Sequence, residues 1–150
     1  MKTLVIYDSK YGNTKQIAES IAKVIAGETV NVTDFNPEVL VGIDIVVVGS
    51  PINGWGPSAL TQALLTKLEA IKLTNKCVAA FDTGYRSKFS GNAAAKIMKR
   101  LITAGGKQLI PTRKFVVEHS EGPLGADEIA NANLWATELK TQYERLVATA

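Results

Sequence analysis

The segment Ser9-Lys10-Tyr11-Gly12-Asn13-Thr14 gathers hydroxyls, an amide and one glycine into six residues, a set suited to holding an anion. Hydroxyl and amide groups donate hydrogen bonds to oxyanions, and glycine lets the backbone turn toward them. Before this segment, Thr3–Tyr7 is a β-rich apolar run. After it, Ile17, Ile21, Val24 and Ile25 recur at helical spacing, so the turn joins a strand to the start of a helix. A helix start leaves about four backbone N–H groups without partners and carries roughly half a positive charge. Phosphate is the anion this arrangement fits.

Two further segments carry the same vocabulary with an aromatic added. Pro51-Ile52-Asn53-Gly54-Trp55-Gly56 follows one apolar run, and Asp82-Thr83-Gly84-Tyr85, continuing to Phe89, follows another. An aromatic side chain on a glycine-rich loop can cover a flat ligand; the alternative is that Trp55 and Tyr85 pack against their own loops. A local alternative exists for the first turn too, because Ser9 and Thr14 can satisfy nearby backbone donors. Arg86 and Lys88 lie in the third segment, either as charge facing the ligand or as solvated surface.

The remaining reactive side chains offer little. One cysteine, Cys77, opens an apolar strand and reads as a small buried hydrophobe; one histidine, His119, sits among Glu118 and Glu121 and reads as exposed. A metal cluster is not expected. Asp34 follows the second strand, where a dinucleotide-binding fold places a ribose acid, but no G-x-G-x-x-G precedes it and capping a short helix suits it better. No Gly-Lys-Ser/Thr signature of a nucleotide-triphosphate loop occurs.

The elements that must position these loops are read from periodicity. Strands are expected over Thr3–Tyr7, Thr29–Thr33, Ile43–Gly49, Lys76–Phe81 and Lys114–Glu118, and helices over Asn13–Ala26, Ser58–Ala70, Ala93–Ala104 and Asp127–Ala148. The runs IVVVG and CVAAF are continuously apolar, as strands covered on both faces must be. Trp135 falls on the apolar face of the last helix and is expected in the core. The fold class is α/β: a three-layer, doubly wound, five-stranded parallel sheet in one domain over residues 1–150. Ligands of such sheets sit beyond the C-terminal strand ends, where strand order reverses, and that rule selects the three loops above.

The bulk properties agree with this. The chain has 150 residues, is 46% hydrophobic and carries a formal charge of +3, with a pI near 9.0. Its Lys and Arg residues are scattered, which gives nucleic-acid binding little support. No apolar stretch approaches the ~20 residues of a membrane span, and no secretory signal is read at Met1–Lys10, so a soluble, cytoplasmic protein is expected.

Taken in order, the three loops resemble the flavodoxin family over essentially the whole chain. In that family a Thr/Ser-x-Thr/Ser-Gly-x-Thr turn binds the phosphate of FMN. Ser9, Gly12, Asn13 and Thr14 match it, with Tyr11 where a small hydroxyl often stands. The resemblance implies the strand order 2-1-3-4-5, non-covalent FMN, Trp55 against one ring face, and Tyr85 or its rival Phe89 against the other. Lys107–Glu118 is compact, as in short-chain members. The implied function is electron transfer between redox partner proteins, as a monomer or weak dimer. Two alternatives stay open: an NAD(P)H-dependent quinone reductase of the same fold, and a binding or regulatory module that has lost its flavin.

Overall fold

The computed structural model describes residues 1–87 and 91–150. The chain runs β1 (Thr3–Tyr7), α1 (Asn13–Val24), β2 (Glu28–Asn31), two 3-10 turns (Val32–Asp34 and Pro37–Leu40), β3 (Ile45–Asn53), β4 (Gly56–Pro57), α2 (Ala59–Ile71), β5 (Cys77–Gly84), α3 (Ala93–Thr103), β6 (Lys107–Gln108), β7 (Arg113–Val116) and α4 (Glu128–Ala148). The sheet order is β2-β1-β3-β5-β6, with β7 also parallel to β5 and the short β4 antiparallel to the end of β3.

The order 2-1-3-4-5 therefore holds, with its fifth position occupied by two short strands. Lys107–Gln108 pairs with Cys77–Val78, and Arg113–Val116 pairs with Phe81–Gly84. Between them the chain leaves the edge, and Ile110 packs into the core. Pro111 cannot donate to a ladder, and its carbonyl accepts the Trp135 indole N–H at 3.1 Å. No helix among the described residues is long and apolar enough to cross a membrane.

Side-chain alternation divides the core into two layers. Val5, Val47, Ala79 and Phe81 face α1 and α4, where they meet Ile17, Ile21, Trp135 and Leu139. Leu4, Ile6, Val46, Val48, Val78 and Ala80 face α2 and α3, meeting Leu64, Leu65, Leu68, Ile97 and Leu101. Strand neighbours alternate faces, so a strand apolar at every position must be covered twice, as expected from IVVVG and CVAAF. Trp135 is only 8% exposed and closes an edge-to-face cluster with Phe81 and Phe115, at centroid distances of 6.1 and 6.2 Å. Cys77 is buried and its thiol pKa is raised, chiefly by desolvation.

Element ends moved where polar residues interrupt the apolar pattern. β3 continues past Gly49 to Asn53, and β5 past Phe81 to Gly84, with Ser50 opposite Asp82 and Pro51 opposite Thr83. The β2 strand begins and ends earlier than expected, because the Asn31 side chain accepts the Thr33 N–H at 3.0 Å and starts a turn. Asp34 does not cap the next turn; Asn36 does, through the Glu38 N–H at 3.0 Å. The preceding Phe35 is buried and leaves Asp34 outside.

Gly49 is the most closely approached of the glycines, facing its in-register neighbour Phe81 on the adjacent strand. A Cβ built there would lie 2.0 Å from Phe81 Cζ, a ring locked by Phe115 and Trp135. Gly49→Ala should lower unfolding free energy by about 1–3 kcal/mol or more, as overpacking does. Urea denaturation checks this, and an unchanged midpoint would mean that Phe81 can shift freely.

Candidate functional site

A cavity of about 540 Å³ opens beyond the C-terminal ends of β1, β3 and β5. Its walls include Ser9, Lys10, Tyr11, Asn13 and Thr14 from the first loop; Pro51, Ile52, Asn53, Gly54 and Trp55 from the second; and Thr83, Gly84 and Tyr85 from the third. All three segments chosen in the sequence therefore meet at one place.

The first loop turns at Gly12, whose φ of 94° is left-handed and favours glycine. Ser9 Oγ accepts the N–H groups of Gly12 at 3.1 Å and Lys15 at 3.2 Å, so this hydroxyl closes the turn and caps α1, as its local alternative held. Thr14 does something the sequence did not suggest. Its Oγ1 lies 2.8 Å from Thr83 Oγ1, and this buried pair ties the start of α1 to the end of β5. A second tie runs from Ser58 Oγ, which donates to Asp8 at 2.5 Å, while Ser58 N–H donates to Ser50 Oγ at 3.0 Å.

The second loop carries Trp55 at a positive φ of 66°, with the residue 66% exposed. Its backbone is clamped to the start of α3: the Trp55 carbonyl accepts from Asn92 N–H and Lys96 Nζ, each at 3.2 Å. Gly91 allows the approach, since a Cβ there would fall 2.3 Å from Trp55 Cα. Tyr85 is 44% exposed, and its hydroxyl lies 2.5 Å from Ser120 Oγ. Trp55 thus projects from an anchored backbone, and the Tyr85 ring is tethered at its hydroxyl.

Not every residue singled out in the sequence lines the cavity. Asp82 is fully buried and does not line the cavity; its Oδ2 accepts the Ala94 N–H at 2.9 Å and serves the start of α3. Strand β5 alternates faces, so Thr83 reaches the cavity where Asp82 points under α3. Gly12 shapes the turn without lining the cavity, and Gly56 is buried against Lys96 on a separate shallow groove. Arg86 does not line the cavity and pairs with Glu118 at 3.7 Å, so its charge is partly compensated at the surface. Phe89 and Lys88 lie outside the described residues. His119 is exposed.

Sequence reasoning missed Val117 and Ser120, which supply a further wall. They belong to a small excursion after β7 in which Val117 bridges to Leu124 and Glu118 N–H donates to the Pro123 carbonyl at 2.9 Å. The Ser-Glu-Gly-Pro turn at Ser120–Pro123 is the signal that the sequence carries for this wall.

A sequence model of the family described as Flavodoxin domain matches residues 4–118. The chain belongs to the flavodoxin family. Among solved structures, oxidised flavodoxin 2 of Bacillus cereus superposes with a TM-score of 0.82 at 22% identity, covering 95% of this chain and 99% of that one. Flavodoxin 1 of the same organism gives 0.80 at 20% identity, covering 94% and 98%. Rubredoxin oxygen:oxidoreductase of Desulfovibrio gigas gives 0.80 at 17% identity over 97% of this chain but only 37% of its own, so the flavodoxin fold also occurs as a part of longer chains. No curated protein sequence matches this flavodoxin-family chain.

Burial raises the Asp82 carboxyl pKa, opposed by the Ala94 N–H, the Lys114 ammonium and the Ala93 N–H. A raised native pKa means that the folded protein takes up this proton before the unfolded chain does. The carboxylate therefore costs stability above the native pKa, and the cost fades as pH falls through it, ending below the unfolded value of about 3.9. Asp82→Asn keeps an oxygen for Ala94 but cannot titrate. Wild type should gain stability relative to this variant as pH falls across that window, measured by denaturant titrations at a series of pH values. A pH-independent difference would contradict the assignment.

Proposed function

We propose that this chain binds FMN non-covalently and passes electrons one at a time between larger redox proteins. The observation that carries this reading is the convergence on one cavity of a glycine turn at a helix start and two exposed aromatic side chains from separate loops. The volume of about 540 Å³ lies within the roughly 300–1,000 Å³ of ligand pockets. The fit is chemical as well as spatial. The buried start of α1 offers backbone N–H groups to an anion, Lys10 adds positive charge beside them, and Trp55 and Tyr85 offer flat apolar faces.

Bound FMN would supply the redox chemistry. The chain's own residues would do the rest. Ser9 and Gly12 hold the turn open toward the phosphate, and the Thr14–Thr83 pair fixes its distance from the strand end that faces the ring. The anchors at Asn92, Lys96 and Ser120 hold the aromatic walls in place before a ligand arrives, which lowers the ordering cost of binding. Among the described residues that line the cavity there is no Asp, Glu, His or Cys. NAD(P)H-dependent quinone reduction by the FMN-loaded protein would favour the enzyme reading instead.

The first test is direct. Adding FMN to the purified protein should give a bound flavin spectrum, and a protein that takes up none would overturn the proposal. Ser9→Ala with Thr14→Ala, which removes the bonds that hold the turn and tie it to Thr83, should weaken FMN more than riboflavin, which lacks the phosphate, by about 0.5–1.5 kcal/mol for each bond lost. Equal losses for both ligands in a calorimetric titration would move the phosphate elsewhere.

Fluorescence separates the aromatics. Trp135 is buried with Phe81 and Phe115, and Trp55 lines the cavity, so FMN should quench Trp55 more strongly. Trp55→Phe should remove most of the quenching. If the fraction quenched stayed at the wild-type value, Trp55 would not cover the ring.

A further inference from the structure

The net charge of +3 is not spread evenly around the cavity mouth. In a parallel sheet with helical crossovers, each helix runs back against its strands, so the helix starts gather at the end where the cavity opens. Their dipoles make that end positive before any side chain is counted. Lys10 stands on one side of Trp55 and Tyr85, lining the cavity. Lys96 stands at the Trp55 carbonyl, and Arg113 and Lys114 line a recess at the start of α3 with Gly91 and Asn92. Lys114 Nζ also reaches the carbonyls of Tyr85 and Gly91, each at 3.3 Å, which places its charge beside the aromatic rim.

The acids at the same end do not cancel this arc. Glu118, Glu121 and Asp127 are exposed on the connection from β7 to α4, and Glu118 is engaged with Arg86. Glu19 pairs with Lys15 at 3.9 Å along α1. Asp34 and Glu38 lie beyond β2, the far edge of the sheet from α3. Asp8 and Asp82 are turned inward to Ser58 and Ala94, where Asp82 offsets part of the Lys114 charge from beneath. The mouth is therefore basic from Lys10 across Trp55 to Arg113, and acidic only on the side of Glu118 to Asp127.

We propose that this basic arc, with the exposed Trp55 at its centre and Tyr85 at its border with the acidic side, docks a redox protein whose own face around its redox group is acidic. The proposal rests on the reading of the chain as an electron carrier and names the chemistry of its partner. Two features support it together. An aromatic centre ringed by charge is the composition of a docking patch, and positive charge within a Debye length of the cavity, about 8–10 Å at physiological salt, steers acidic surfaces and repels basic ones. A partner built to receive an acidic carrier would be repelled.

The test uses the isotope-labelled protein with and without added FMN. Two probes are titrated by NMR: a plant-type two-iron ferredoxin, which is acidic, and mitochondrial cytochrome c, which is basic. At low salt the ferredoxin should bind at least about tenfold more tightly, shift signals at residues 10–11, 54–55, 92–96 and 113–114, and lose its effect near ~0.5 M salt. Lys96→Glu with Arg113→Glu should reverse the preference. Because Lys96 also holds the Trp55 carbonyl, Arg113→Glu alone serves as the second variant and should weaken ferredoxin about threefold or more.

Tighter or equal binding of cytochrome c would overturn the proposal, as would shifts centred on residues 118–127 or on α4, or no shifts with either probe. The FMN reading is scored separately by absorption. A protein that takes up no flavin yet keeps the ferredoxin preference would sink the carrier reading and leave the docking surface. A flavin-loaded protein without the preference would sink the surface alone.

Discussion

The parallel pairing of β3 with β5 continues beyond the point where the apolar sequence stops, and the site depends on that extension. Val46 to Gly49 and Val78 to Phe81 are held by burial on both faces, but Ser50 opposite Asp82 and Pro51 opposite Thr83 are held because most of their polar groups find partners, Asp82 Oδ1 being the exception. Ser50 Oγ donates to the Pro51 carbonyl at 2.8 Å and accepts from Ser58, and Asp82 accepts from the start of α3. Had these groups lacked partners, burial would have cost about 1–3 kcal/mol for each, enough to end the strands early. The extra residues carry Ile52, Asn53, Thr83 and Gly84 outward to form the cavity floor and wall.

The same buried polar groups link loops that are distant in sequence. Asp8 with Ser58 joins the first loop to α2, Thr14 with Thr83 joins α1 to β5, and Asp82 with Ala94 joins β5 to α3. Each bond contributes on the order of 1 kcal/mol net, which is small beside the core. Their effect lies in position. A ligand cavity assembled from three loops needs those loops at fixed distances, and side-chain ties between the strand ends and helix starts provide this more rigidly than loop backbone alone.

Electrostatics follow from the same topology. Crossover connections place the helix starts at the mouth, where they favour an anion inside the cavity and add to the basic residues around it. Asp82 tempers this field from below. It remains a carboxylate only against a desolvation cost, with Lys114 and two N–H groups opposing that cost, so the charge beneath the α3 start is sensitive to its surroundings.

The sequence by itself determined the fold class and the three loops that meet at the cavity, while the order of the sheet was implied by the resemblance to the flavodoxin family. Continuous apolar strands alternating with periodic helices leave few arrangements open, and glycine, hydroxyl and aromatic residues collect where strands end. The family was legible for the same reason, since its motifs lie in those loops. Only the tertiary structure decided how each side chain is used. Asp82 and Thr83 are adjacent in the chain, yet strand alternation sends one under α3 and the other to the cavity. Ser120 lies 35 residues from the Tyr85 hydroxyl it meets, and Thr14 lies 69 from Thr83. Contacts at such separations leave no local pattern, because they arise from where the packed layers bring strand ends together and not from any preference of the residues themselves.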